Sequence, residues 1–129
     1  MIEAQGWISI SLLEHEEETN SLENVIVKIN ELVKPFKQFN QYFEVRSMNG
    51  SYVLFIGLNH NHNISYDKDV YNLLKEIGKI ANGSYGSVYM RFHDNEYKNN
   101  EFQIYKLARG QVSVEKDNLL SPCNPTIEF

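Results

Sequence analysis

Apolar residues recur along the chain with a period that alternates between two and three to four residues. The segment GWISISL near the N-terminus favours a strand, because Ser9 and Ser11 fall together on one face. Its apolar residues are Trp7, Ile8, Ile10 and Leu12. Strict alternation puts Trp7 on the opposite face from Ile8, so Trp7 lies either in the core through a bulge or on a binding surface.

A helix is predicted after this strand. Thr19, Asn20 or Ser21 supplies its N-terminal cap, and Pro35 ends the helix or marks its last turn. An apolar stripe at three-and-four spacing runs along this helix and consists of Leu22, Val25, Ile26, Ile29, Leu32, Val33 and Phe36.

A hairpin and a second helix follow. Asn49-Gly50 joins two β-prone runs in YFEVRSMNGSYVLFIGL, and this dipeptide suits a tight turn that needs positive φ at both residues. The polar interval NHNHNISYD leads to a helix over residues 70–81, whose stripe is Val70, Leu73, Leu74, Ile77 and Ile80. Asn82-Gly83 then stands where a helix C-terminus needs a left-handed residue.

The remainder predicts a strand over residues 87–92, the loop HDNEYKNN, the strand EFQIYKL, a turn at Arg109-Gly110 and the strand QVSVE. The element order is therefore β-α-β-β-α-β-β-β. We predict an α+β fold with one antiparallel or mixed sheet of about six strands and two helices on one face. The first six elements have the order of a ferredoxin-like split β-α-β unit, although order alone does not fix the strand pairing.

Length and charge narrow the possible functions. A chain of 129 residues with 42% apolar residues has the usual size of one domain, so residues 1–129 are expected to form a single domain. Twelve basic against seventeen acidic residues give a net charge of -5, and the basic residues are scattered. This balance argues against a nucleic-acid binder and favours a basic partner.

Cys123 is the only cysteine, which excludes an internal disulfide and fits a reducing compartment. The N-terminus has no basic region before its short apolar run, and no stretch approaches the ~20 apolar residues of a membrane span. We expect a soluble cytoplasmic protein that does not interact with a membrane.

Few residues suggest catalysis or metal binding. His60 and His62 lie two apart, and a metal site that used them would also need His93; the alternative function is therefore a small metal-binding or ligand-sensing domain. Cys123 in SPCNP lacks activating neighbours, and its flanking prolines favour a structural tail. Neither a cofactor nor an enzymatic activity is expected.

The stretch ANGSYGSVYMRFHD looks like a glycine-rich phosphate loop, but such a loop leads from a strand into a helix, whereas here the helix comes first. Ser84 in GSYG also lacks the glycine spacing of a nucleophile elbow. We interpret the segment as a helix stop and the beginning of a strand. Tyr85 and Tyr89 would lie on one face of it, and Val88 and Met90 on the other.

Five sequence blocks stand out along the chain: GW-I-I from Gly6, GL followed by HNH from Gly57, GSYG with Y-R--D from Gly83, N-F--Y-L-RG from Asn100, and LSPC-PTIE from Leu120. Together, and in this order, they resemble the immunity protein 7 family of bacterial polymorphic toxin systems. Asn59 interrupts the second block. The motif residues, which we interpret as structural, are Trp7, Gly83, Ser84, Tyr85, Gly86, Arg91, Phe102, Arg109, Gly110, Ser121, Pro122, Cys123, Pro125 and Glu128.

The resemblance implies a cytoplasmic antidote that binds a toxin domain, with no catalysis of its own. Because many such toxins are nucleases with basic surfaces, acidic residues are the candidates for toxin binding. They are Glu14, Glu16, Glu17 and Glu18 before the first helix, and Asp94 and Glu96 in the later loop. Arg91 is expected to fasten the C-terminal tail through Glu128 or a backbone carbonyl.

Overall fold

The computed structural model describes residues 2–13, 21–37, 41–60, 66–92 and 101–121. Within these residues, six strands and two α-helices follow the predicted order. The strands are β1 (Ile2–Ile10), β2 (Tyr42–Met48), β3 (Ser51–His60), β4 (Tyr85–Phe92), β5 (Gln103–Ala108) and β6 (Gln111–Lys116). The helices are α1 (Leu22–Val33) and α2 (Tyr66–Ile80).

The strands form one antiparallel sheet in the order β2-β3-β1-β4-β5-β6. Strand β3 lies between β1 and β2, and β1 lies between β3 and β4, so each β-α-β connection is split by one strand. The predicted α+β fold is confirmed. The pairing that the sequence left open is that of the ferredoxin-like unit, and the β5-β6 hairpin extends it beyond β4.

Two tight turns close the hairpins as predicted. Asn49 and Gly50 have φ angles of 54° and 85°, and Arg109 and Gly110 have φ angles of 54° and 72°. Positive φ at both central residues matches the twist of the flanking strands, which is why Asn-Gly is favoured at such turns.

The helix ends follow the local sequence signals at α1 but not at the start of α2. The Asn24 N–H donates to Ser21 Oγ at 3.2 Å, so Ser21 is the cap of α1 among the three predicted candidates. Pro35 lies in a short 3-10 helix, Lys34–Phe36, that directly follows α1. Helix α2 begins at Tyr66, four residues before the predicted start.

The core lies between the two helices and one face of the sheet. Ile8, Leu54 and Val88 are fully buried at the centre of three neighbouring strands, and they pack with Ile29 of α1 and Leu74 of α2. Both predicted helical stripes therefore face the sheet. The buried apolar residues fall on alternate positions of β1, β3, β4 and β5, which leaves the other set of side chains on the opposite face.

The chain leaves α2 differently from the prediction. Neither Asn82 nor Gly83 has a positive φ, so the left-handed helix end expected there is wrong. The Ser84 N–H donates to the Ala81 carbonyl at 3.0 Å and closes a tight turn without a left-handed residue. Gly83 provides space instead, because a Cβ there would lie 3.0 Å from the Ser11 carbonyl oxygen.

Strands β1 and β4 approach each other closely at two glycines. Gly6 pairs with Val88, and Gly86 pairs with Ile8. A Cβ at Gly6 would lie 2.6 Å from Val88 Cα, and a Cβ at Gly86 would lie 2.8 Å from Ile8 Cα and would also overlap the Trp7 carbonyl oxygen. Neither position has room for a side chain.

Replacing Gly86 by alanine should therefore destabilise the fold by roughly 1–3 kcal/mol, the usual cost of forcing an additional methyl group into a packed interior. The free energy of unfolding from a guanidinium titration measures this loss. Gly57→Ala is the matched control, because Gly57 also lies within a strand and its Cβ would come only within 3.6 Å of Tyr42 Cβ. Equal stability of the two variants would contradict the close approach of β1 and β4.

Candidate functional site

Large aromatic side chains cover the sheet face that points away from both helices. Trp7 on β1, Tyr42 on β2 and Tyr85 on β4 are 45%, 45% and 53% exposed. The strand register adds half-buried apolar residues from β3, β4 and β5 to the same face. We call this surface the open face; its large apolar residues are Trp7, Tyr42, Met48, Val53, Phe55, Tyr85, Tyr89 and Ile104.

A depression of about 390 Å³ lies at the centre of the open face, with Gln5, Trp7, Ser87 and Tyr89 in its lining. Ser87 pairs with Trp7 across the strands and lies between Tyr85 and Tyr89 along β4. Because a small side chain is surrounded by three aromatic ones, the surface is indented there. The rings of Trp7 and Tyr85 meet edge to face, with centroids 6.1 Å apart and an interplanar angle of 88°.

Among the described strand residues, acidic and basic side chains occur in equal number on the open face. They are Glu3, Glu44 and Glu115, and Arg46, Arg91 and Lys106. Nitrogen-to-oxygen distances of 3.7, 3.6 and 3.9 Å join Arg91 to Glu3, Lys37 to Glu44, and Lys106 to Glu115. The pairs at Glu44 and Glu115 are more exposed than the Arg91–Glu3 pair and add little stability, but all three leave the face without a large field of one sign.

Arg91 lies near the end of β4 in a cluster with Glu3 and Phe102. Its side chain is only 11% exposed, and its guanidinium carbon lies 5.9 Å from the centre of the Phe102 ring. The Phe102 N–H donates to Ser121 Oγ at 2.8 Å, which fastens the chain after β6 to the residue before β5. Three sequence blocks therefore meet here. The expected partner Glu128 lies outside the described residues.

Ser84 is fully buried, and its hydroxyl is engaged by the backbone. The Ser11 N–H donates to Ser84 Oγ at 3.1 Å, which joins the chain after β1 to the residue before β4. Together with the tight packing of Gly83 and Gly86, this bond gives the GSYG block an architectural position. Tyr85 lies on the open face with Tyr89, whereas Val88 and Met90 are buried, as the alternation predicted.

The acidic residues expected to bind a toxin lie outside the described residues: Glu14, Glu16, Glu17, Glu18, Asp94 and Glu96. The strands that lead into these two segments end at opposite ends of the sheet. Ile10, the last residue of β1, pairs with Tyr52, whereas Phe92, the last residue of β4, pairs with Ile2. The open face extends between these two ends.

The residues of the metal hypothesis fall mostly outside the described part of the chain, where His62 and His93 lie. His60 ends β3 and pairs with Ile2, which also pairs with Phe92, so the segments that hold the three histidines leave the sheet at the same end. Among the residues that the structure describes, no group of three His, Cys, Asp or Glu side chains is arranged to hold a metal ion.

The remaining motif residues divide between the β5-β6 turn and the C-terminal segment. Arg109 and Gly110 form the turn, and Gly110 packs closely against Gly78 and Asn82 of the α2 end. The motif residues of the C-terminal segment beyond Ser121 lie outside the described residues; they are Pro122, Cys123, Pro125 and Glu128.

Sequence reasoning missed most of the open face as a candidate site. It placed Tyr85 and Tyr89 together and left Trp7 between the core and a surface, but it did not single out Tyr42 or Phe55. The available signal was the alternation itself. If both helices cover one face, the odd-numbered aromatic residues of β1 and β4 must lie on the other.

A family model described as Immunity protein 7 matches the chain over residues 1–129. No curated protein matches the chain significantly. Among solved structures, a de novo designed protein, Foldit4, matches with a TM-score of 0.48 and 21% sequence identity, and the match covers 70% of this chain and 96% of the designed one.

Trp7→Ala should lower the free energy of unfolding by less than the about 3–5 kcal/mol of a fully buried aromatic residue, because the indole is 45% exposed. Its edge-to-face pair with Tyr85 adds only about 0.5–1.5 kcal/mol beyond the area that it buries. Phe43→Ala is the control in the core, where Phe43 is fully buried and its loss should cost about 3–5 kcal/mol. Unfolding of both variants should be followed by far-UV circular dichroism. Tryptophan fluorescence cannot be used for Trp7→Ala, because Trp7 is the only tryptophan. Similar losses of stability for the two variants would contradict the exposed position of Trp7 and indicate that its side chain lies in the core.

Proposed function

Since the chain belongs to the Immunity protein 7 family, its role is immunity to a toxin, and we propose that it binds and neutralises one cognate domain of a bacterial polymorphic toxin. The proposal further assigns a basic nuclease as the toxin and the cytoplasm as the place of action. The family match over residues 1–129 is the observation that carries it, and the same match supports a single domain.

Charge supports a basic partner. The chain carries a net charge of -5, and nucleases need basic surfaces to hold the phosphate backbone of their substrates. An acidic inhibitor gains association rate and specificity from this complementarity. Binding in this way inhibits by covering the substrate surface, and it requires no catalytic group, cofactor or nucleic-acid contact in the immunity protein.

The acidic segments are the proposed sites of electrostatic attraction. Glu14, Glu16, Glu17 and Glu18 lie between β1 and α1, and Asp94 and Glu96 lie between β4 and β5. Because β1 and β4 end at opposite ends of the sheet, a toxin that approaches both segments would span the length of the open face.

Cytoplasmic action is part of the proposal because a toxin that reaches the nucleic acids of the cell has to be neutralised there. A single cysteine fits a reducing compartment. No helix among the described residues is long and apolar enough to cross a membrane.

The toxin domain encoded by the neighbouring gene should form a complex with this protein, with a dissociation constant in the nanomolar range or below, as in other inhibitor complexes of standard interface size. Isothermal titration calorimetry with an inactivated toxin domain measures the affinity. Co-expression with the active toxin should restore growth. A toxin domain from an unrelated locus serves as the control, and failure of both binding and rescue would end the immunity proposal.

The acidic run should act mainly on the association rate. The triple substitution Glu16→Gln, Glu17→Gln and Glu18→Gln should slow association about two- to tenfold at low salt and flatten its salt dependence, because charges at an interface rim act through long-range steering. Stopped-flow measurements across a salt series give both rates. A buried pair would instead mainly increase the dissociation rate.

The matched control removes the same amount of charge from the two helices, with the triple substitution Glu23→Gln, Glu31→Gln and Glu76→Gln. Glu31 and Glu76 are exposed and lie next to Lys34 and Lys79 on their own helices. This variant should associate at nearly the wild-type rate. Equal slowing by both triple variants would show that only total charge matters, and unchanged rates for the first would exclude the acidic run from steering.

A further inference from the structure

We propose that the open face is the surface which the toxin covers, and that the depression between Trp7 and Tyr89 receives a basic side chain of the toxin, an arginine or a lysine. This inference rests on the proposed function, because it names the contact surface of the same toxin. It assigns the main binding energy to the sheet, whereas the acidic segments outside the described residues supply attraction at a distance.

The composition of the open face is that of a protein-protein contact. Trp, Tyr and Arg dominate the binding energy of such interfaces, and they act best at the centre of a patch with a polar rim. Here Trp7 and Tyr89 line the depression, and the ring of Tyr85 meets that of Trp7 edge to face. Paired charges such as Lys106 and Glu115 lie further out, on the outer strands.

The depression suits a cationic side chain. Its walls include the indole of Trp7 and the phenol of Tyr89, and aromatic ring faces attract a guanidinium or ammonium group, with tryptophan the strongest. Gln5 and Ser87 add a carboxamide and a hydroxyl that can accept hydrogen bonds. A net charge of -5 on the whole chain favours a partner that presents such groups.

Two other occupants fit the face less well. Exposed aromatic residues on a sheet also stack on single-stranded RNA, but an RNA surface needs uncompensated basic charge, and the three bases of the open face are matched by three acids. A second copy of the chain would bring together two molecules that each carry a charge of -5.

The first experiment uses Trp7 as a reporter, because it is the only tryptophan of the chain. Protein labelled with fluorotryptophan gives a single ¹⁹F resonance from the centre of the open face. Addition of the inactivated toxin domain from the neighbouring gene should shift this resonance and remove its sensitivity to solvent exchange between H₂O and D₂O. A resonance that stays unchanged while calorimetry shows binding would overturn the proposal and leave the immunity function intact.

Affinity measurements then test how much Trp7 contributes to the free energy of toxin binding. Trp7→Ala should raise the dissociation constant about tenfold or more, as expected when a central aromatic contact is removed. Val27→Ala is the control, because Val27 is an exposed apolar residue on α1, 63% exposed, and should leave the affinity within about twofold. Equal affinities for both variants would place the contact elsewhere. If the wild-type protein does not bind the toxin domain, both this inference and the proposed function fail.

A fluorination series tests the charge of the inserted group. Mono-, di- and trifluorotryptophan at position 7 withdraw electron density from the ring face in steps without a large change in shape. If a cation lies over Trp7, affinity should fall progressively, by about 2- to 30-fold across the series, which corresponds to the energy range of cation–π contacts. A flat series would overturn the assignment of a basic side chain.

Two further measurements exclude the other occupants. A fluorescent single-stranded oligouridine should not bind the wild-type protein, and light scattering should not show a dimer that Trp7→Ala dissociates. Binding of the oligouridine that depends on Trp7, or a dimer of that kind, would overturn the assignment of the open face to a protein toxin.

Discussion

Strand β1 has a hydrogen-bonded neighbour on each side along nearly its whole length, and the rest of the sheet depends on these two contacts. It pairs with β3 from Ile2 to Ile10 and with β4 from Ile2 to Ser9. The β4 contact tolerates no side chain at Gly6 or Gly86, since a Cβ at either would meet the backbone of the other strand. Backbone proximity at two glycines therefore sets the distance between the two halves of the fold.

The same strand separates two surfaces of different chemistry. Its even-numbered residues other than Gly6 are buried under the helices, while Trp7 and its odd-numbered neighbours belong to the open face. Two helices are enough to cover one side of the central strands. The fold can therefore keep its hydrophobic core on one side and present aromatic residues on the other, so that changes on the open face need not disturb the core.

Local patterns were sufficient for the elements of this fold but not for their pairing. The turn at Asn49-Gly50, the Ser21 cap and both helical stripes depend on residues near one another in the sequence. The position of β1 between β3 and β4 depends on contacts between distant segments, which the element order restricts but does not fix. Gly83 illustrates the difference. A glycine after a helix suggests a left-handed turn, yet the constraint on Gly83 is the backbone at Ser11.

The candidate site was predictable only in part, for a related reason. The alternation of Trp7 with Ile8 put Trp7 on the opposite sheet face unless a bulge intervened, but whether another element covers that face is a question of tertiary structure. Tyr42 and Phe55 become neighbours of β1 residues only through the β2-β3 hairpin and its register. The net charge of the chain follows from its composition, whereas the balance of acidic and basic residues on the open face follows only from the strand order.

The central position of β1 also has a consequence for how the protein is made. Ile8 pairs with Leu54 and with Gly86, so β1 is made before both of the strands that it pairs with. At about 5–20 residues per second, β4 emerges several seconds after β1. During that interval the hairpin of β2 and β3 can form and occupy one side of β1, but the other edge stays open. Nascent chains are therefore most prone to mispairing along the edge that β4 later covers.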